Sequence, residues 1–201
     1  LGLLLLVQTA FAQTNLPYKN AQLPIERRVQ DLLGRMTVEE KAGQLNQLNG
    51  GVFTGPAAND PGQQAKMNDV KAGRVGSMLN VIGAAETKAV QKIAVEQTRL
   101  GIPLLFAFDV IHGYRTIFPI PLAEACSWNT EAAEITASIA AKEAAAAGLH
   151  WTFAPMVDIS NDPRWGRVME GAGEDPYLGS LFGAARVRGL QGDLSEPNRV
   201  L

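Results

Sequence analysis

The sequence predicts an α/β fold, the N-terminal portion of a (β/α)8 (TIM-type) barrel that is incomplete in this chain. Three observations lead there. Apolar runs such as IPLLFAFD (102–109) and HWTFAPMVD (150–158) lack polar alternation, as strands buried on both faces of a parallel sheet do. Helical patterns separate them, which is the order of βαβ units. Polar residues collect just past the strand ends, at Asn80, at Asp109 with His112 and Arg115, and at Asp158, where barrel enzymes build their sites. A doubly wound sheet fits the same alternation. No G-x-G-x-x-G or G-x-x-x-x-G-K-[ST] follows any strand, which removes the usual nucleotide-binding reasons for that alternative. The barrel is favoured, and the three visible units cannot close it.

Along the chain, LGLLLLVQTAFA (1–12) is an apolar run ending in Ala10-Phe11-Ala12. It reads as the core and cleavage site of a secretory signal peptide without its charged start, and it is too short to span a bilayer. Residues 13–23 read as a short mature leader and 24–201 as the barrel segment, truncated at its C-terminus. Ile25, Val29, Leu32, Leu33 and Met36 recur at helical spacing. Thr37-Val38-Glu39-Glu40 is a capping box that opens a second helix, expected to run to about Leu48. The Gly/Pro/Asn-rich 50–62 is a loop. A buried strand is expected at 74–81, a helix at 84–101, a strand at 102–109 and an alanine-rich helix at 127–148, capped by Ser127 or Asn129. A strand at 150–158 and a helix from 176 to 190 complete the pattern.

With 18 basic and 20 acidic residues the net charge is −2. No basic stripe suggests a nucleic acid partner, and no segment implies stable membrane association. The single Cys126 has no thiol to pair with, and neither His112 nor His150 lies in a metal-ligand spacing; no metal or cofactor is expected. His150 reads as a structural histidine. No G-x-S-x-G elbow supports serine hydrolysis.

Carboxylates, arginines and aromatics are what remain, and they suit a polyhydroxylated ligand. Sugar hydroxyls donate to carboxylates and accept from guanidinium groups, while an aromatic ring covers an apolar sugar face. Asp109 ends an apolar strand, where an ionised group is costly unless bonded. Arg115 lies six residues on, beyond Gly113, so a turn can bring it beside the same ligand; a structural Asp109–Arg115 pair fixing the loop is the alternative. DPRWGRVMEGAGEDP (162–176) packs charge around a tryptophan among glycines and prolines, the composition of a shaped binding loop or of a surface loop laced by ion pairs. Asp158 can cap that loop's backbone or touch the ligand, and the structural role is favoured.

MTVEEKAGQL, FAFDVIHGYRTIFP, FAPMVDISNDPRWGRVMEGAGEDPYL and the export signal together resemble glycoside hydrolase family 3, in particular its periplasmic β-glucosidases. The resemblance covers nearly everything after residue 12. It implies an N-terminal barrel and retaining cleavage of terminal β-linked sugars without metal or cofactor. By position in the motifs, it implies that Asp109, Arg115 and Arg167 bind the first sugar, while Arg164, Glu170 and Glu174 brace the loop. The nucleophilic Asp and the acid/base are expected beyond residue 201, so no catalytic residue is assigned here. β-Xylosidase or β-N-acetylglucosaminidase activity, or a non-catalytic sugar-binding or structural barrel, remain open alternatives.

Overall fold

The computed structural model describes residues 16–51, 60–193 and 199–201; the signal-peptide reading and most of the 50–62 loop lie outside them. The described residues fall into two compact units divided between Lys41 and Ala42. In the first, a 3₁₀ turn (Pro17–Lys19) precedes helix α1 (Ile25–Arg35). Asp31 on α1 joins them, accepting the Tyr18 N–H at 3.2 Å and pairing with Arg35 at 2.9 Å. The capping box forms as expected: Thr37 N–H donates to Glu40 Oε2 at 2.9 Å and Glu40 N–H to Thr37 Oγ1 at 3.2 Å. It opens helix α2 (Val38–Gln44).

The second unit runs β1 (Gln47–Asn49), α3 (Pro61–Lys71), β2 (Ser77–Leu79), α4 (Ala84–Gln97), β3 (Leu105–Phe108), α5 (Pro121–Ala125), α6 (Thr130–Ala146), β4 (Trp151–Thr152) and α7 (Pro176–Gln191). The four strands are parallel and lie in the order β1-β2-β3-β4, with Leu48 beside Met78, Met78 beside Phe106 and Phe108 beside Thr152. A sheet that adds each strand on the same side, without a reversal of order, follows the winding of a barrel and not of a doubly wound sheet. Leu201 extends the series: its N–H donates to His150 O at 2.9 Å and its carbonyl accepts from Thr152 N–H at 2.8 Å, the bonding of a parallel neighbour on the free edge of β4.

Several expectations need correction. The second helix stops at Gln44, and Gln47–Asn49 is a strand, so the described sheet has four strands and Asp109 follows the third, not the second. Helix α3 occupies a stretch with no element assigned to it, capped by Asp60, whose carboxylate accepts the Gly62 and Gln63 N–H groups. The strands are shorter than their apolar runs, because only Ser77–Leu79, Leu105–Phe108 and Trp151–Thr152 find ladder partners. Asn129, not Ser127, caps α6, accepting the Ala132 N–H at 3.0 Å.

Met78 and Phe106 point to the helical side, where they are buried with Val90 and Ala94 of α4 and Ala137, Ala140, Ala141 and Ala144 of α6. The alanines let α7 approach α6 closely. At Gly189 of α7, an added Cβ would lie 2.7 Å from the Ala137 Cβ and press on the Glu134 carbonyl. Helix propensity favours alanine over glycine by about 1 kcal/mol, but overpacking a fixed backbone contact costs about 1–3 kcal/mol. Gly189→Ala is therefore expected to lower the melting temperature of the full-length protein. A raised one would mean that the helices part without strain.

Candidate functional site

Parallel strands deliver their carboxyl ends to one edge of the sheet. Asn49 ends β1, Asn80 follows β2 and Asp109 follows β3. Asn80 adopts φ 62°, and its side-chain N–H donates to Asn49 Oδ1 at 3.2 Å. Asp109 is exposed, but the backbone beyond it is fixed. The Val110 N–H donates to Thr152 Oγ1 of β4 at 3.2 Å. The Ile111 carbonyl accepts from the Arg186 guanidinium of α7. His112 and Phe118 close the loop twice, through Phe118 N–H to His112 O and His112 Nδ1–H to Phe118 O, both 2.9 Å.

Beyond β4 the chain runs through Asp158 into the charged loop. Arg167 grips Glu170 with two parallel bonds, Nε to Oε1 at 2.9 Å and Nη2 to Oε2 at 2.6 Å, the fork geometry that favours arginine over lysine. That pairing raises the pKa of Arg167, reinforced by the fields of Asp158 and Asp109, and lowers that of Glu170. The structure thus brings Asp158 and Asp109 each within electrostatic reach of Arg167. Ile111, Asp158, Glu170 and Arg186 line one cavity of about 20 Å³, room for a single water.

The other expected residues lie differently. The Arg164 side chain is 88% exposed and, among the described residues, holds only Asp162, two residues back. Glu174 is exposed, and no bond of its carboxylate is recorded among the described residues. Its neighbour Asp175 instead caps α7, accepting from Tyr177 and Leu178 N–H at 2.7 and 2.9 Å. The Asp158 carboxylate, expected to cap the loop, has no backbone bond recorded among the described residues. Arg115 is anchored through its backbone: Glu143 of α6 accepts the Arg115 and Thr116 N–H groups, each at 2.8 Å, and the Thr116 hydroxyl at 2.6 Å. The Thr116 hydroxyl and these amides lower the Glu143 pKa. Arg115 lines an open cavity of about 910 Å³ together with Phe108, Tyr114 and Glu143, and among the described residues it makes no hydrogen bond or ion pair with Asp109 or Arg167.

Sequence reasoning missed Glu143, Thr152 and the buried Glu124–Arg186 pair. The only advance signal for that pair was a charged residue among alanines in PLAEA and in FGAARV. It did find His150, whose Nδ1 accepts the Phe106 N–H at 3.1 Å while the ring stacks on Phe106. Burial lowers the His150 pKa from its ordinary 6.5. The unfolded chain therefore takes up a proton first as the pH falls, so this contribution to stability is whole above 6.5 and is lost as pH drops below it toward the folded value. Melting temperatures of the full-length protein from pH 7.5 to 5.5 should fall less in His150→Gln than in the parent.

No cluster of three or more His, Cys, Asp or Glu side chains among the described residues could hold a metal ion, and no described helix is long and apolar enough to cross a membrane. What the edge offers is hydrogen bonding: a carboxylate acceptor at Asp109, a guanidinium donor at Arg167 and a partly exposed Trp165 between the two arginines of the loop.

Residues 37–200 match the glycosyl hydrolase family 3 N-terminal domain. The chain is 45% identical over 164 residues to the periplasmic β-glucosidase of Salmonella typhimurium, covering 82% of this chain and 20% of that protein. It is 32% identical over 191 residues to a putative β-xylosidase of Formosa agariphila, covering 88% of this chain and 25% of that one. Among solved structures it is similar to the β-glucosidase of Listeria innocua in complex with glucose, at 42% identity and a TM-score of 0.78, covering 87% of this chain and 26% of that chain. The chain thus spans about a fifth to a quarter of the proteins it resembles.

Proposed function

Because the chain belongs to glycosyl hydrolase family 3, we propose that it is the N-terminal part of an exported, retaining β-glucosidase, contributing the residues that hold the terminal glucosyl unit. The observation that carries this reading is that Asp109, just past β3, and Arg167, in the loop beyond β4, lie close enough for the Asp109 charge to help raise the Arg167 pKa. Asp109 accepts hydrogen bonds from sugar hydroxyls. Arg167 donates to sugar oxygens while Glu170 keeps its guanidinium plane fixed. Arg115 joins them by turning its side chain from a backbone already pinned by Glu143.

Retaining hydrolysis needs a nucleophilic carboxylate and an acid/base about 5–5.5 Å apart; these are proposed to come from segments outside the 201 residues. The substrate leaves its sugar on the nucleophile, with the acid/base protonating the departing oxygen, and water then releases it. The role of this segment is to fix the sugar so that its anomeric carbon faces the nucleophile, for a misplaced ring loses most of the advantage of proximity. Export by residues 1–12 is supported by the periplasmic relative; deleting them from the full-length gene should leave the activity in the cytoplasm.

Hydrolysis of aryl β-glucosides by the full-length protein tests the reading. A β-xyloside preference would instead favour the activity named for the Formosa relative, since xylose lacks only the hydroxymethyl group. Activity on neither of these, nor on β-N-acetylglucosaminides, would remove the enzyme reading.

A further inference from the structure

Arg186 and Glu124 form a buried ion pair that the sugar-binding proposal does not use. Their side chains are 8% and 5% exposed and 2.5 Å apart, and Thr136 of α6 donates to the second Glu124 oxygen at 2.6 Å. A buried pair is weak evidence for stability, because desolvation consumes most of the attraction, and apolar replacements often fold as well. The telling contact is the third one: the other arm of the Arg186 guanidinium donates to the Ile111 carbonyl, two residues beyond Asp109.

We infer that Arg186 is a positioning residue for Asp109, its buried guanidinium holding the Ile111 carbonyl so that the Asp109 carboxylate stands at the sugar. The inference rests on the proposed role of Asp109 in sugar binding. Two anchors fix the backbone just past Asp109: Val110 N–H on Thr152 of β4 and Ile111 O on Arg186 of α7. With the second removed, the loop keeps its sheet bond at Val110 and its bonds to Glu143 at Arg115 and Thr116, but Ile111, two residues beyond Asp109, loses its tie to α7. Arg186 also lines the small cavity shared by Ile111, Asp158 and Glu170, so it stands where the Asp109 loop meets the partner of Arg167. Glu124 supplies the counter-charge that lets a guanidinium remain there.

The test is a double-mutant cycle on the full-length protein, reading kcat/KM on an aryl β-glucoside and the melting temperature. Arg186→Lys keeps the charge opposite Glu124, but a single ammonium lacks the planar fork that serves both partners. It is expected to lower kcat/KM about tenfold, the worth of one bond to a charged group, and to leave the activity of Asp109→Ala nearly unchanged when combined with it. Equal losses in both backgrounds would mean that Arg186 acts independently of Asp109 and would overturn the inference. If Arg186→Lys fails to fold, the pair replacement Glu124→Leu/Arg186→Met takes its place. That variant should melt near the parent temperature yet keep the catalytic loss, and recovery of both properties would overturn the inference. Should Asp109→Ala itself turn over like the parent, the sugar-site reading fails and the inference falls with it. A crippled Asp109→Ala beside an unaffected Arg186→Lys rejects the inference alone.

Discussion

Asp109→Ala in the full-length protein is expected to lower kcat/KM on aryl β-glucosides by roughly a hundredfold or more, with little change in melting temperature. The carboxylate is exposed and no protein bond to its side chain is recorded among the described residues, so its removal strands no partner. A sugar ring, by contrast, loses bonds to a charged acceptor, each worth on the order of 1.5–3 kcal/mol, and every ~1.4 kcal/mol is a decade in rate. Asp109→Asn separates charge from shape. It keeps one acceptor oxygen and should recover part of the loss. A variant with near-parental kcat/KM would remove Asp109 from the site.

The second large effect is expected at Arg167 and not at Arg164, two arginines three residues apart in one loop. Arg167 is fixed by a two-bond grip on Glu170 and lies in the fields of Asp109 and Asp158. Among the described residues Arg164 holds only Asp162, and its side chain is largely in water. Arg167→Ala should therefore cost about ten- to a hundredfold in kcat/KM. Arg164→Ala should leave kcat/KM and melting temperature close to the parent, because exposed pairs contribute little. Glu170→Gln provides the intermediate case: Arg167 keeps its charge but loses its ionic brace, so KM should rise more than kcat falls. Equal kinetic damage at Arg164 and Arg167 would undo the division of the loop into a clamp and a turn.

Much of this architecture is legible in the sequence because it is written in local chemistry. The Thr37–Glu40 capping box, the Asn129 cap and the strand that leads into Asp109 follow from side chains a few residues apart. Strand β1 is not legible, since Gln47, Leu48 and Asn49 offer one apolar residue and no alternation long enough to count. Helix α3 is polar around most of its circumference. Its one signal, Asp60 before Pro61, lies at the end of a loop whose composition hides it. The site divides in the same way. Motif position singles out Asp109 and Arg167, but which carboxylate serves which arginine is a matter of loop shape: Asp162, Glu170, Glu174 and Asp175 are all near in sequence, and only the fold gives Glu170 to Arg167 and Asp175 to α7. Glu124 and Arg186, 62 residues apart, obey no spacing rule. Only a charge stranded on an apolar face betrays such a pair before the fold is known.

The central claim is that this segment holds glucose for a retaining hydrolase. Its most direct test is to incubate the full-length protein with a 2-fluoro-β-glucoside bearing a good leaving group and to weigh the intact protein. Fluorine at C2 slows breakdown of the glycosyl-enzyme more than its formation when the leaving group is activated. The account predicts the added mass of one fluoroglucosyl group, forming much more slowly in Asp109→Ala. No adduct, together with no hydrolysis of unmodified aryl β-glucosides, would contradict it.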